Sequence, residues 1–280
     1  MKKRILITGA GGLLAPYLLS EAVSYGDVVT TSRNTVCVRC DLTDKFQVKR
    51  LMSEVKPHWI IHAAAMTNVD QCECESSVAG KINALSVKHI VDSIDPDVQL
   101  VYLSTDQVYP NIAGPHKEEK VEPINVYGKT KLQGENNALV HSNSVVYRIN
   151  FFGHSLTKGR DSLDDFVVNN LRLSNPITLF SDVLFSPLHM STLVELILFG
   201  LKRKRSGVFN LGCREGMSKA AFGLAVAKHL NLNSENATVG KSSSMQGRAL
   251  RPLDLRMDVS KIEAAMNRKM PTLLEEIEKL

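Results

Sequence analysis

"RILITGAGGLLAPYLLSEA", residues 4–22, is the stretch that decides the fold. A short run of apolar, strand-forming residues meets glycines at positions 9, 11 and 12, and a helical pattern follows over about 13–25. Strand, glycine turn and helix in that order open a nucleotide-binding βαβ unit. Gly9 allows the tight turn, and Gly11 and Gly12 let a pyrophosphate approach the backbone. The helix start then offers unpaired N–H groups and a partial positive charge. Glycines alone carry little weight, and their placement between strand and helix carries most of it. Gly9, Gly11 and Gly12, with Leu13 and Leu14 directly after them, are candidate dinucleotide contacts.

Working outward, the first 150 residues keep alternating. Strand-like runs fall at 4–8, 27–32, 35–39, 59–65, 98–104 and 144–149, with helical patterns near 13–25, 44–56, 76–94 and 126–142. Such alternation predicts an α/β fold, a Rossmann-like doubly wound parallel sheet. "WIIHAAA" (59–65) and "VQLVYLS" (98–104) are apolar almost throughout, as strands covered on both faces should be. After residue 150 the rhythm loosens: helices at 162–173, 190–201 and 218–230, a late strand at 207–212, a polar loop-like segment at 236–252 and two short closing helices. We expect a nucleotide-binding domain from 1–150 plus about 176–211, and a smaller C-terminal substrate-binding portion from about 151–175 and 212–280.

Bulk properties narrow the class. At 280 residues, 44% apolar and 22% charged, this is an ordinary globular chain of one large domain or one and a half. The net charge of +5 suits anionic small molecules. The basic residues are scattered except for "LKRKR" (201–205), which complements a helix C-terminus, so nucleic acid is not expected. Five cysteines, an odd number, indicate a reducing compartment. "CVRC" (37–40) lies in a strand-like run and "CEC" (72–74) has the wrong spacing for a tetrahedral site, so no metal is expected. The apolar N-terminal run is broken by "GAGG", and no stretch is long enough to span a bilayer, which points to a cytoplasmic protein without membrane attachment.

Cofactor preference is addressed by "TTSRN" (30–34). NAD-specific sites place a carboxylate at the end of the second strand, and there is none here. Ser32 and Arg33 are instead suited to a 2′-phosphate. That favours NADPH, with NADH as the alternative. Farther on, "VYGKTKLQGE" (126–135) sets Tyr127 four residues before Lys131, on one face of a helix. A phenol titrates near 10, too high to exchange protons easily at neutral pH. A neighbouring ammonium is expected to stabilise its anion. Thr105, at the carboxyl end of the strand 98–104, can hydrogen-bond a substrate oxygen in the same crevice. These groups suit the movement of a hydride to or from a carbonyl carbon while a proton goes to its oxygen.

Thr105, Tyr127 and Lys131 resemble the Ser/Thr, Tyr-x-x-x-Lys triad of the extended short-chain dehydrogenase/reductases. A finer resemblance, to the dTDP-4-dehydrorhamnose reductase family, spans nearly the whole chain. It is carried by "LITGAGGLLA", "CDLTD" (40–44), "IIHAAAMTNVDQCE" (60–73), "LSTDQVY" (103–109), "YRINFFG" (147–153) and "RPLDLRMDVSKI" (251–262). The resemblance implies Asp41 and Leu42 at the adenine and Ala63, Ala64 and Ala65 along the cofactor cleft. It places Asp106, Phe151 and Arg251 with Thr105 at a nucleotide-sugar substrate, and Arg248 is a further candidate for its diphosphate. Homodimers are common among such relatives. Gln107, Pro110, Phe151 and His189 depart from the family's usual residues, all expected on the substrate side. The activity implied is NADPH-dependent reduction of a nucleotide-activated 4-keto-6-deoxy sugar. The alternatives are a nucleotide-sugar epimerase, or a non-catalytic regulatory subunit of the methionine adenosyltransferase beta type.

Overall fold

The computed structural model describes residues 2–32, 38–245 and 247–280. Arg33 and Cys37, with most of the strand expected at 35–39, lie outside the described residues. The first half runs β1 (Lys3–Thr8), α1 (Ala15–Ala22), β2 (Gly26–Ser32), β3 (Val38–Arg39), α2 (Lys45–Val55) and β4 (Trp59–His62). Next come α3 (Val69–Cys74), α4 (Ser76–Gly80), a π-helical turn at Lys81–Leu85, α5 (Ser86–Val91), β5 (Gln99–Thr105), α6 (Val126–Leu139) and β6 (Ser144–Ile149). The second half holds β7 (Phe151–Phe152), α7 (Leu163–Arg172), β8 (Ile177–Phe180), β9 (Leu184–Phe185), β10 (Leu188–His189), α8 (Met190–Lys202) and β11 (Gly207–Leu211). It closes with β12 (Met217–Ser218), α9 (Lys219–His229), β13 (Ala237–Gly240), β14 (Asp254–Leu255), α10 (Ser260–Met266) and α11 (Leu273–Ile277).

Seven strands form one parallel sheet in the order β11-β6-β5-β4-β1-β2-β3. The order reverses beside β1, the switch point at which doubly wound sheets bind dinucleotides. Side chains alternate across each strand and feed two cores. Ile5, Ile7, Val101 and Leu103 pack with α1 and α8 on one face. Leu6, Leu100, Tyr102 and Val146 pack with α2, α5 and α6 on the other. Every residue of β5 is buried, the apolar run Leu100–Leu103 together with the polar Gln99, Ser104 and Thr105 at its ends.

Several elements depart from the expectations. β4 ends at His62, so Ala63–Ala65 leave the sheet and turn into the crevice instead of continuing the strand. The helix expected over 76–94 begins earlier, at Val69, where Asn68 caps the Gln71 N–H, and it is divided into four pieces, α3, α4, the π-helical turn and α5. The polar segment 236–252 is not wholly loop: Ala237–Gly240 pairs in parallel with β8. Within 176–211, β8, β9 and β10 pair in small sheets with β13, with β12 and β14, and with β7, whereas α8 and β11 belong to the large sheet's layers. Among the described residues no helix is long and apolar enough to cross a membrane.

Candidate active site

The turn after β1 is tied to β2 by Gly9 N–H donating to the Thr31 carbonyl at 3.1 Å. Gly9 has φ of +78°, and a Cβ there would fall 2.7 Å from Ala64 N and 2.8 Å from Ala63 C. Both the backbone angle and the contact exclude a side chain. α1 begins without a side-chain cap and with proline in its first turn. Among the described residues, the N–H groups of Gly11, Leu13 and Leu14 find no acceptor. Orphan donors at a helix start, beside an open crevice, suit a phosphate. The loop therefore fits the pyrophosphate of a dinucleotide.

That crevice is one cavity of about 740 Å³ at the carboxyl ends of the strands. It is lined by Gly9, Gly11, Gly12, Leu13, Leu14, Ser32, Asp41, Leu42, Ala63, Ala64, Ala65, Thr105, Asp106, Tyr127, Lys131, Phe151 and Arg251. The structure thus brings together the site residues named from the sequence except Arg33, which is outside the described residues, and Arg248, which does not line the cavity. The Asp41 carboxylate holds its own turn by accepting from Thr43 N and Oγ1 at 2.9 and 2.8 Å. His189, expected on the substrate side, is not part of the cavity lining. It caps α8 by accepting from Ser191 N–H and packs edge-on against Phe152.

α6 carries Tyr127 and Lys131, with its start fixed by Asn125, which accepts from Gly128 N–H at 2.8 Å. It lies so close to β5 that a Cβ on Gly134 would fall 2.2 Å from the Tyr102 hydroxyl. One turn beyond Lys131, buried Glu135 accepts from Ser104 Oγ and pairs with Arg148 at 2.7 Å. Ser104 immediately precedes Thr105, so this network ties the tyrosine helix to the threonine strand.

The expected ammonium–phenolate partnership is not present as a direct contact. Lys131 Nζ donates to the Leu103 carbonyl at 2.7 Å and lies 4.1 Å from the centroid of the Tyr102 ring. Burial lowers its pKa to about 7, with Glu135 pulling upward. Burial also raises the Tyr127 phenol well above 10; the Thr105 hydroxyl opposes that shift and the Asp106 charge adds to it. The reason is desolvation: both groups are enclosed, and enclosure disfavours each charged form.

On the substrate side, Asp106 accepts from the side chains of Asn150 and Thr105. Burial first raises its pKa to about 6, against those hydrogen bonds and the Lys219 charge. Arg251, a candidate for the diphosphate, reaches the cavity but is held by Asp70 at 2.7 Å, and Arg248 lies 4.0 Å from the same carboxylate. Asn150, Arg160 and Lys219 also line the cavity and were not singled out from the sequence. Asn150 was readable as the residue following β6. Arg160 and Lys219 come from segments whose approach to the crevice depends on tertiary packing.

A parallel sheet of this order, with its crevice framed by the glycine turn and the Thr, Tyr and Lys side chains, defines an extended short-chain dehydrogenase/reductase. Within that class the chain belongs to the family described as RmlD substrate binding domain, whose model matches residues 2–280. It is 28% identical over 93% of its length to methionine adenosyltransferase 2 subunit beta of Xenopus laevis, covering 82% of that protein. It is 26% identical over 97% of its length to the probable low-salt glycan biosynthesis reductase Agl14 of Haloferax volcanii, covering 95% of it. The solved structure of dTDP-4-dehydrorhamnose reductase from Bacillus anthracis in complex with NADP superposes with a TM-score of 0.91 at 25% identity. That match covers 100% of this chain and 98% of the other.

Proposed function

We propose that the protein is an NADPH-dependent reductase of a nucleotide-activated 4-keto-6-deoxy sugar. The observation that carries this reading is the convergence of Thr105, Tyr127 and Lys131 with the phosphate loop on one cavity. When bound, the reduced nicotinamide supplies the hydride that goes to the ketone carbon. Tyr127 gives its phenolic proton to the developing alkoxide, and enclosure keeps that proton in place at neutral pH until it is needed. Thr105 hydrogen-bonds the same oxygen and holds it against the phenol. Lys131 spends one N–H on Leu103, leaving donors for a ribose and positive charge for the phenolate left behind.

Gln107 speaks against a dehydratase, since its amide cannot take a proton from carbon. In the structure its Oε1 accepts from Asn125 at 3.2 Å. The likeness to the methionine adenosyltransferase subunit supports a second reading, a regulatory protein that binds the cofactor without turnover. An NADPH-oxidation screen across dTDP-, GDP- and UDP-linked 4-keto sugars separates the two. Tyr127→Phe should lower turnover by about 10²–10⁴-fold and leave NADPH binding intact. Cofactor binding with no oxidation on any of these sugars would favour the regulatory reading.

A further inference from the structure

The substrate end of the cavity carries an unusual cation. Lys219 is the first residue of α9, where Ser218 Oγ caps the Ala221 N–H and the Lys219 N–H is taken by the Val183 carbonyl. A positive side chain at a helix N-terminus opposes the helix dipole. Its ammonium has no hydrogen bond or ion pair among the described residues and lies 5.9 Å from the centroid of the Phe185 ring. Local rules broken at a cavity wall usually have a functional reason.

Its surroundings are positive. The charges of Arg248 and Arg251 both act on it, and these two arginines share the carboxylate of Asp70, at 4.0 and 2.7 Å. Asp106 is the acid nearest in effect, and its oxygens are already engaged by Asn150 and Thr105. Burial and the two arginines lower the Lys219 pKa, as they would for a cation awaiting a counter-ion. The glycine turn, at the other end of the crevice, has its own orphan donors for the cofactor's phosphates.

We propose that Lys219 takes the diphosphate of the nucleotide sugar, and so selects a nucleotide-linked substrate over the free sugar. This rests on the nucleotide-sugar reading above. Lys219 supplies the charge that Arg251, held by Asp70, supplies only in part, while Asp106 and Thr105 face the sugar.

The test is calorimetric titration of the NADP⁺-loaded protein with dTDP, UDP and GDP, and with the nucleoside of whichever binds tightest. Lys219→Met and Lys219→Gln should weaken the nucleoside diphosphate about tenfold or more, the loss expected for one charge-assisted contact. Lys219→Arg should restore most of it. The nucleoside and NADP⁺ should bind as before, which also reports that the variants are folded. An unchanged diphosphate affinity in both neutral variants, or an equal loss for the nucleoside or NADP⁺, overturns the role of Lys219. Wild-type protein that binds NADP⁺ and none of the three diphosphates overturns the nucleotide-sugar reading itself.

Discussion

Replacing Glu135 by glutamine tests whether the buried network behind the site holds the tyrosine helix. The Glu135 and Arg148 side chains are 1% and 3% exposed, paired at 2.7 Å with a second contact from Nε at 3.0 Å. Arg148 also donates to the Glu118 carbonyl and the Tyr109 hydroxyl. Glutamine keeps the shape and one acceptor but leaves the guanidinium without a counter-charge away from water. Breaking such a pair costs about 3–5 kcal/mol, a large share of the roughly 5–15 kcal/mol that holds a domain folded. An unfolding entropy of about 2.1 cal/mol/K per residue gives roughly 0.6 kcal/mol/K for a chain this long. The melting temperature should therefore fall by about 5–8 °C. Urea unfolding followed by circular dichroism measures the free energy directly. Glu135→Leu combined with Arg148→Met should recover part of the loss, because no charge is then stranded, though Ser104, Tyr109 and the Glu118 carbonyl lose partners. A cost below about 1 kcal/mol for Glu135→Gln would refute the reasoning, since that is the worth of an exposed pair.

Two further predictions concern protons in the cleft. Asp106 has its pKa raised from 3.8 to about 6, so the folded state carries a penalty for the carboxylate that is complete above pH 6 and absent below about 4. Asp106→Asn should stabilise the ligand-free protein by about 2–3 kcal/mol at pH 7.5 and by almost nothing at pH 4. Urea unfolding at both values checks it, and equal effects at the two would refute it. Lys131, lowered to about 7, loses its ammonium as pH rises through that value. The kcat/KM for reduction should then fall about tenfold per unit on the alkaline side, and a profile flat to pH 9 would refute a requirement for that charge.

How much of this was legible in the sequence depends on the range of the interactions. β1, the Gly9 turn and β5 announce themselves through local chemistry: apolar strands covered on both faces, and a backbone angle that only glycine takes easily. The Tyr127–Lys131 spacing likewise fixes a shared helix face. What α6 meets across that face is not local. Lys131 turns to the Leu103 carbonyl because α6 lies against β5, 28 residues away in sequence. Asn83, which taken alone suggests helix surface, is fully buried and ties the Met66 backbone to Thr130 of α6. Strand Ala237–Gly240 is short and has no buried residue, and gains its pairing only from β8, some 60 residues earlier.

The same distinction bears on which substrate the cleft selects. The reducing end of the site is built from β1, β5 and α6, elements of the sheet and its first helical layer, whose register follows from patterning. The end proposed to select the substrate is lined by Asp106, Asn150, Lys219 and Arg251, delivered by the strand edge, the crossing after β6, the start of α9 and a C-terminal segment. Those four meet only after β9, β12 and β14 have paired to bring the last two segments beside the sheet. A chain can therefore keep its hydride chemistry through local rules while its substrate preference varies with long-range packing. Substitutions at Lys219 and Arg251 should then change which ligand binds, whereas substitutions at Tyr127 and Lys131 should change whether any ligand reacts.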